Sequence, residues 1–110
     1  FPSGPWHAHY DQGGARFEMH DVILRFDRDQ LSGEGRDTVG TFRLTGYVDA
    51  ENQLHMLKKY DNLRHVAYLG SHDGEGTVSG MWSLWGDEGT FAMRPVLGFR
   101  ESGEITDWKF

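Results

Sequence analysis

The sequence predicts an all-β fold, a single antiparallel up-and-down β-barrel of about eight strands. Turn signals recur about every 8–12 residues, which is the spacing typical of all-β sandwiches and barrels. Between these signals apolar and polar residues alternate, as they do in half-buried strands. Glycines also interrupt the predicted strands at Gly33, Gly35, Gly40 and Gly46, where a strongly curved sheet needs bends.

The composition limits the classes of function. The chain has 110 residues, enough for one domain, and its 15 glycines disfavour long helices. A net charge of −6 argues against nucleic acid and membrane surfaces as partners. The absence of cysteine excludes disulfides, thiol chemistry and sulfur-based zinc sites. No apolar run approaches the ~20 residues of a membrane helix. We expect no cofactor, and the compartment stays open. Because the chain begins with Phe1, an exported protein that has lost its leader is one possibility.

Four strands are predicted in the first half of the chain. They cover Trp6–Tyr10, Arg16–Phe26, Leu31–Arg36 and Thr41–Val48. In the second strand the apolar positions change phase near His20 and Asp21, which predicts a β-bulge there. In the fourth strand Phe42 and Leu44 share one face, and Arg43 and Tyr47 lie on the other. Between the third and fourth strands, Asp37 is expected to brace the loop before Gly40 through an Asx turn.

Four further strands are predicted in the second half. They cover Leu54–Tyr60, His65–Leu69, Thr77–Trp85 and Thr90–Arg94. A tight hairpin at Asp61–Asn62 would place Lys58 opposite His65 and His55 opposite Tyr68. The seventh strand carries Trp82 on one face and Met81 and Trp85 on the other. It is therefore expected to be covered on both sides, with a core inside and either a partner or the C-terminal tail outside.

These predictions define one domain. Residues 1–95 form the barrel, and residues 96–110 form a tail that adds a strand around Ile105 to Phe110 or makes an oligomer contact.

The strand order resembles that of lipocalin-like barrels, and parts of the sequence resemble the avidin family. From Leu31 the chain reads LSGEGRDTVGT and then FRLTGYVD, similar to the avidin strands L-T-G-x-Y-x-S-A-V-G-N and Y-x-L-x-G-R-Y-D. Met56–Arg64 resembles W-K-N-N-Y-R-N-A-H, and Met81–Leu84 resembles a strand that ends in Q-W-L-L. This resemblance to a calycin-type barrel implies a ligand-binding cup and wall-to-wall association of barrels.

The biotin site of that family does not carry over. Among the positions that would bind biotin, only Trp82 keeps the family's residue type. The other positions hold Gly35, Asp37, Ala15, Thr41, Met56, His65 and Ala67. Without matched donors and acceptors the discrimination of a polar ligand is lost, so biotin binding is not expected.

Seven side chains are candidate ligand contacts if their faces turn inward. They are Arg43, Tyr47, Lys59, Tyr60, His65, Tyr68 and Trp82. A barrel whose apolar residues point inward would instead expose Arg43 and Tyr47, and this alternative stays open.

Candidates for metal binding and catalysis are weaker. His7 and His9 lie two residues apart on one strand and could chelate a metal ion, although such pairs are common on exposed strands. His65, near Lys58, Tyr68 and Asp61, is the nearest approach to an acid–base group, and the alternative is a polar strand face near the barrel rim.

Three functions are therefore considered. The first is a non-enzymatic barrel that binds a small molecule or short peptide at its open end. The second is an assembly module, a homo-oligomer that uses its outer wall, which Met81 and Trp85 suggest. The third is a small isomerase or cyclase with His65 at the rim.

Overall fold

In a computed structural model that describes residues 1–61 and 64–96, the chain forms a closed, eight-stranded antiparallel barrel. Each strand pairs with the next, and β8 returns to pair with β1. The predicted all-β up-and-down barrel is thus confirmed. The strands are β1 (Gly4–Gln12), β2 (Ala15–Asp27), β3 (Gln30–Arg36), β4 (Thr41–Val48), β5 (Gln53–Tyr60), β6 (His65–His72), β7 (Val78–Leu84) and β8 (Asp87–Pro95).

The predicted C-terminal strand and tail contact fall in residues 97–110, outside the described residues. In the described part of the chain, no helix has the length and apolar character to cross a membrane.

The alternation of side chains puts the apolar residues inside the barrel. On β4, Phe42 and Leu44 are 2% and 1% exposed, while Arg43 and Tyr47 face outward. Leu24, Leu54 and Val78 fill the same core from other strands. Of the two alternatives left open for β4, the structure therefore has the one in which the apolar residues point inward and Arg43 and Tyr47 are exposed.

β2 contains the predicted bulge. The pairing between β2 and β3 shifts between His20 and Ile23. Asp21 within this irregularity has a φ of 55°, a left-handed conformation that an extra strand residue can adopt. The bulge explains why the inward positions of β2 change phase there.

The predicted register of the β5–β6 hairpin is wrong by one residue. Lys58 pairs with Val66 and Lys59 pairs with His65, where the two-residue turn predicted Lys58 opposite His65. The backbone N–H of Tyr60 donates to the carbonyl of Arg64 at 2.8 Å, so the connection is one residue longer than the predicted turn. Because the side-chain period is two, a one-residue shift changes which residues face each other across the strands.

Candidate functional site

An ion pair lies inside the barrel. Lys58 of β5 points into the interior, and its Nζ atom lies 2.8 Å from Oδ2 of Asp37. The two side chains are 1% and 0% exposed. Asp37 belongs to the loop between β3 and β4, so a loop residue supplies the counter-ion for a strand lysine. We call the end of the barrel where this loop lies the lysine end.

Aromatic rings enclose the ammonium group of Lys58. Its Nζ atom lies 4.7, 4.7, 5.0 and 5.3 Å from the ring centroids of Tyr10, Phe42, Tyr60 and Tyr68 respectively. A cation over aromatic faces is attracted by the ring quadrupoles, and this attraction strengthens when water is excluded. The cage therefore partly replaces the hydration that Lys58 loses on burial.

Hydrogen bonds complete the coordination of the Asp37 carboxylate. The phenol of Tyr60 donates to Oδ2 at 2.6 Å, the same oxygen that Lys58 contacts. The other oxygen accepts the backbone N–H of Val39 at 2.9 Å, which forms the predicted Asx turn. Two backbone hydrogen bonds between Asp37 and Gly40, of 3.0 and 3.1 Å, close the loop.

Burial changes the pKa values of the groups around this ion pair. Desolvation lowers the pKa of Lys58, while the hydrogen bond and the charge of Asp37 oppose that shift. Desolvation raises the pKa of Tyr60, and its bond to Asp37 adds to the increase. The pKa values of Tyr10 and Tyr68 are also raised, mainly by burial. The three phenols are therefore neutral at ordinary pH.

Little space remains at the lysine end. A cavity of about 50 Å³ lies beside Lys58, between Tyr10, Tyr68 and Trp82. Pockets for small ligands usually measure about 300–1,000 Å³. This end of the interior has room for a water molecule or two, because the side chains and the Asp37 loop fill it.

The predicted ligand-contact residues are divided between the two faces of the wall. Tyr60, Tyr68 and Trp82 point inward, and the structure brings them together around the small cavity. Arg43, Tyr47, Lys59 and His65 lie on the outside. The predicted group around His65 is divided in the same way, since Lys58 and Tyr68 lie on the inner face.

The two histidines proposed as metal ligands lie outside the barrel on β1. They line a depression shared with Glu18 and with two arginines, Arg16 and Arg94, whose positive charges oppose a metal ion. In the part of the chain that the structure describes, no three histidine, cysteine or acidic residues form a metal-binding group.

The opposite end of the barrel has a larger opening. A cavity of about 350 Å³ lies among Phe1, Trp6, Phe26 and His72. Phe1 stacks on Phe26, with 5.4 Å between ring centroids, and meets His72 edge-on at 5.3 Å. Arg28, Asp29 and Asn52 supply polar groups to the same cavity.

The outer wall carries a group of exposed apolar side chains. Large apolar side chains that are 39–47% exposed follow one another across β4 to β7, and we call them the outer patch. Its members are Tyr47, Leu57, Leu69 and Met81. They line a groove of about 580 Å³. Trp85, which is 86% exposed in the turn after β7, does not line this groove.

The strand register makes the patch continuous. Tyr47 pairs with His55, His55 with Leu69, and Leu69 with Met81, so one row of side chains crosses four strands. Tyr47 stacks on His55 at a centroid distance of 4.5 Å. His55 is held in turn by Asp49, with 2.8 Å between Nε2 and Oδ2. These two contacts therefore fix the Tyr47 end of the row.

Charges of opposite sign lie beside the patch. Arg43 and Lys59 lie outward on β4 and β5, whereas Glu88 lines the groove from β8.

No protein-family model, curated protein or solved structure matches the chain.

The sequence predictions missed the ion pair between Lys58 and Asp37. A signal for it was present in the fifth strand, where Leu54, Met56, Lys58 and Tyr60 follow one another at alternate positions. A lysine in an otherwise apolar series indicates a buried charge, and a buried charge requires a partner.

Proposed function

We propose that this barrel is an interaction module that pairs with a second copy of itself through the outer patch. The observation that carries the proposal is the continuous row of half-exposed apolar side chains across β4 to β7. Large exposed apolar patches mark interaction sites, because burying apolar surface is favourable by roughly 25 cal/mol per Å².

The charges around the patch favour a second copy as the partner. A two-fold axis that lies in the interface and runs along β6 would bring β4 of one copy onto β8 of the other. Glu88 of the second copy would then lie opposite Thr45, which shares its cross-strand row, and Arg43, the next outward residue of β4, would approach that carboxylate. The reciprocal pair would form at the other edge. Such complementarity orients partners as they meet.

The sizes of two concave surfaces favour the outer wall over the lysine end of the barrel as a binding surface. The groove on the wall measures about 580 Å³, whereas the cavity beside Lys58 measures about 50 Å³. A guest at the lysine end would have to displace a loop, while a partner on the wall would not.

Sedimentation velocity of the full chain tests this proposal. We expect the native sequence to form a dimer as concentration rises, and Leu69→Glu or Met81→Glu to shift it to monomer by burying unpaired charge. His20→Glu, at an exposed position of β2, serves as the matched control and should leave the dimer intact. A native chain that stays monomeric at high concentration would refute the proposal.

A charge exchange tests the orientation of the two copies. Arg43→Glu and Glu88→Arg should each weaken the dimer, because each places like charges face to face. The double variant should recover most of the affinity. If the double variant dimerises no better than the weaker single variant, the two-fold arrangement along β6 is wrong.

A second candidate function is small-molecule or short-peptide binding at the end opposite Lys58. The cavity of about 350 Å³ there supports it, with aromatic walls from Trp6 and Phe26 and polar groups from Arg28 and His72. This mixture of groups is typical of ligand sites. Native mass spectrometry of the purified chain should then show a bound mass that Phe26→Ala reduces. A preparation with no added mass would count against it.

The avidin-like or lipocalin-like ancestry of the barrel forms part of the same proposal. The eight-strand order and the stretch from Leu31 to Asp49 support it.

A further inference from the structure

The β3–β4 loop places the carboxylate of Asp37 inside the lysine end of the barrel, at a position that a bound ligand could occupy. The side chain of Asp37 is fully buried although its loop is at the surface, and Val39 two residues later is 43% exposed. The loop thus inserts one charged side chain into the cage of rings around Lys58. The other groups of the cage, Lys58 and the rings, stand on strands of the barrel.

We propose that the lysine end is a binding site for a small aromatic carboxylate, and that Asp37 occupies this site when no ligand is bound. The inference is independent of self-association, since the outer patch lies on the opposite face of the wall.

The donors at this site match one carboxylate. Lys58 and the phenol of Tyr60 converge on a single oxygen of Asp37, at 2.8 and 2.6 Å. This pair of donors, one cation and one neutral group, suits one carboxylate. Arg64, an exposed residue, lines the same cavity and adds a second positive charge near its edge.

The walls of the site match an aromatic group. Tyr10 and Trp82 stand edge-to-face with 6.3 Å between ring centroids, and both line the cavity beside Lys58. Tyr68 and Leu84 line the same space. A ring that entered here would make the offset or edge contacts that aromatic pairs prefer.

Exchange of one carboxylate for another avoids the main barrier to opening the site. Leaving Lys58 buried without a partner is strongly unfavourable. An incoming carboxylate replaces the charge that Asp37 withdraws, and Asp37 gains hydration as it leaves. Apart from the contacts of Asp37 with Lys58 and Tyr60, the loop is held by two internal backbone hydrogen bonds, one Asx turn and a side-chain hydrogen bond between Thr38 and Tyr10.

Benzoate is the probe for this site, and benzamide, which has the same ring without the charge, is the control ligand. Binding is followed by the thermal midpoint and by tryptophan fluorescence. Asp37→Ala removes the internal carboxylate, so we expect it to bind benzoate at least tenfold more tightly than the native chain. The double variant Asp37→Ala/Lys58→Met should lose that affinity at least tenfold.

The native chain must also bind benzoate, more weakly and in preference to benzamide. If only Asp37→Ala binds benzoate, the ion pair is structural and the proposal is overturned. Equal binding of benzamide, or binding that survives loss of Lys58, would overturn it as well. If Asp37→Ala is unfolded alone, benzoate should restore its β-sheet circular dichroism, because a ligand of the folded state shifts the equilibrium. Failure to do so counts against the site.

Discussion

Lys58 is an uncommon core residue, because lysine is almost never fully buried without a partner. Its ion pair with Asp37 does not by itself argue for stability. Replacing a buried ion pair by apolar residues is often neutral or stabilising, while removing one partner is strongly destabilising. The carboxylate site proposed above would give this pair a role that stability alone does not require.

Removing one member of this pair should cost far more than removing both. We expect Lys58→Met or Asp37→Ala to lower the free energy of unfolding by about 3–5 kcal/mol, since each leaves an uncompensated charge. The variant Asp37→Leu/Lys58→Met should recover most of that loss. Urea unfolding of the three variants and the native chain gives the comparison.

The exposed pair of Arg25 and Glu34 provides a matched control. Its two contacts, of 2.7 and 2.8 Å, are as short as that of the buried pair, but both side chains are about half exposed. Arg25→Met should therefore change the unfolding free energy much less than Lys58→Met. Equal losses at the two sites would show that burial is not what makes the Lys58 pair costly to break.

The strands of this chain include features that the sequence predicts and one that it does not. The alternation predicts Thr41–Val48 with the bounds that β4 has, and the phase change in β2 predicts its bulge. Both features are local, because each depends on the period of one strand. The register of the β5–β6 hairpin depends instead on the length of its turn, which the dipeptide Asp61–Asn62 does not determine.

The candidate sites were harder to predict because they depend on how different strands and loops are aligned, as the hairpin register does. The outer patch exists only because the register aligns Tyr47, Leu69 and Met81 from three strands. The site at Lys58 requires Asp37 to reach into the barrel from a loop, across 21 positions of sequence. The spacing of residues along one strand predicts neither arrangement.

Gly46 marks a point of close approach between β4 and β5. A Cβ atom at this position would collide with the backbone carbonyl of His55. Since backbone cannot rotate away as a side chain does, Gly46→Ala should destabilise the barrel by about 1–3 kcal/mol. Urea unfolding measures the loss. Thr45→Ala, at the adjacent outward position, should cost much less, and a similar loss in both would refute the steric explanation.

The whole barrel should be sensitive to high pH. The raised pKa values of Tyr10, Tyr60 and Tyr68 mean that the folded chain keeps protons that the unfolded chain releases above pH ~10. The free energy of unfolding therefore falls as pH rises through that range. The lowered pKa of Lys58 has the opposite effect on the free energy of unfolding, but this single lysine is outweighed by the three tyrosines.

Phenolate absorbance tests this prediction in the variant Tyr47→Phe, where the three remaining tyrosines are the buried ones. The absorbance should rise in one cooperative step that coincides with loss of the β-sheet circular dichroism signal. A gradual rise near pH ~10 with the fold intact would show that burial does not protect these phenols.

The seam between β1 and β8 has a consequence for how the molecule reaches its native state. Tyr10 and Phe91 face each other there, so the ring of strands closes only when nearly the whole chain is in place. Contacts so distant in sequence slow folding to about the millisecond-to-second range. Until closure, β1 and β8 each keep a border of unpaired amide and carbonyl groups, through which partly folded chains aggregate. The yield of refolded protein should therefore fall steeply as the protein concentration during refolding rises.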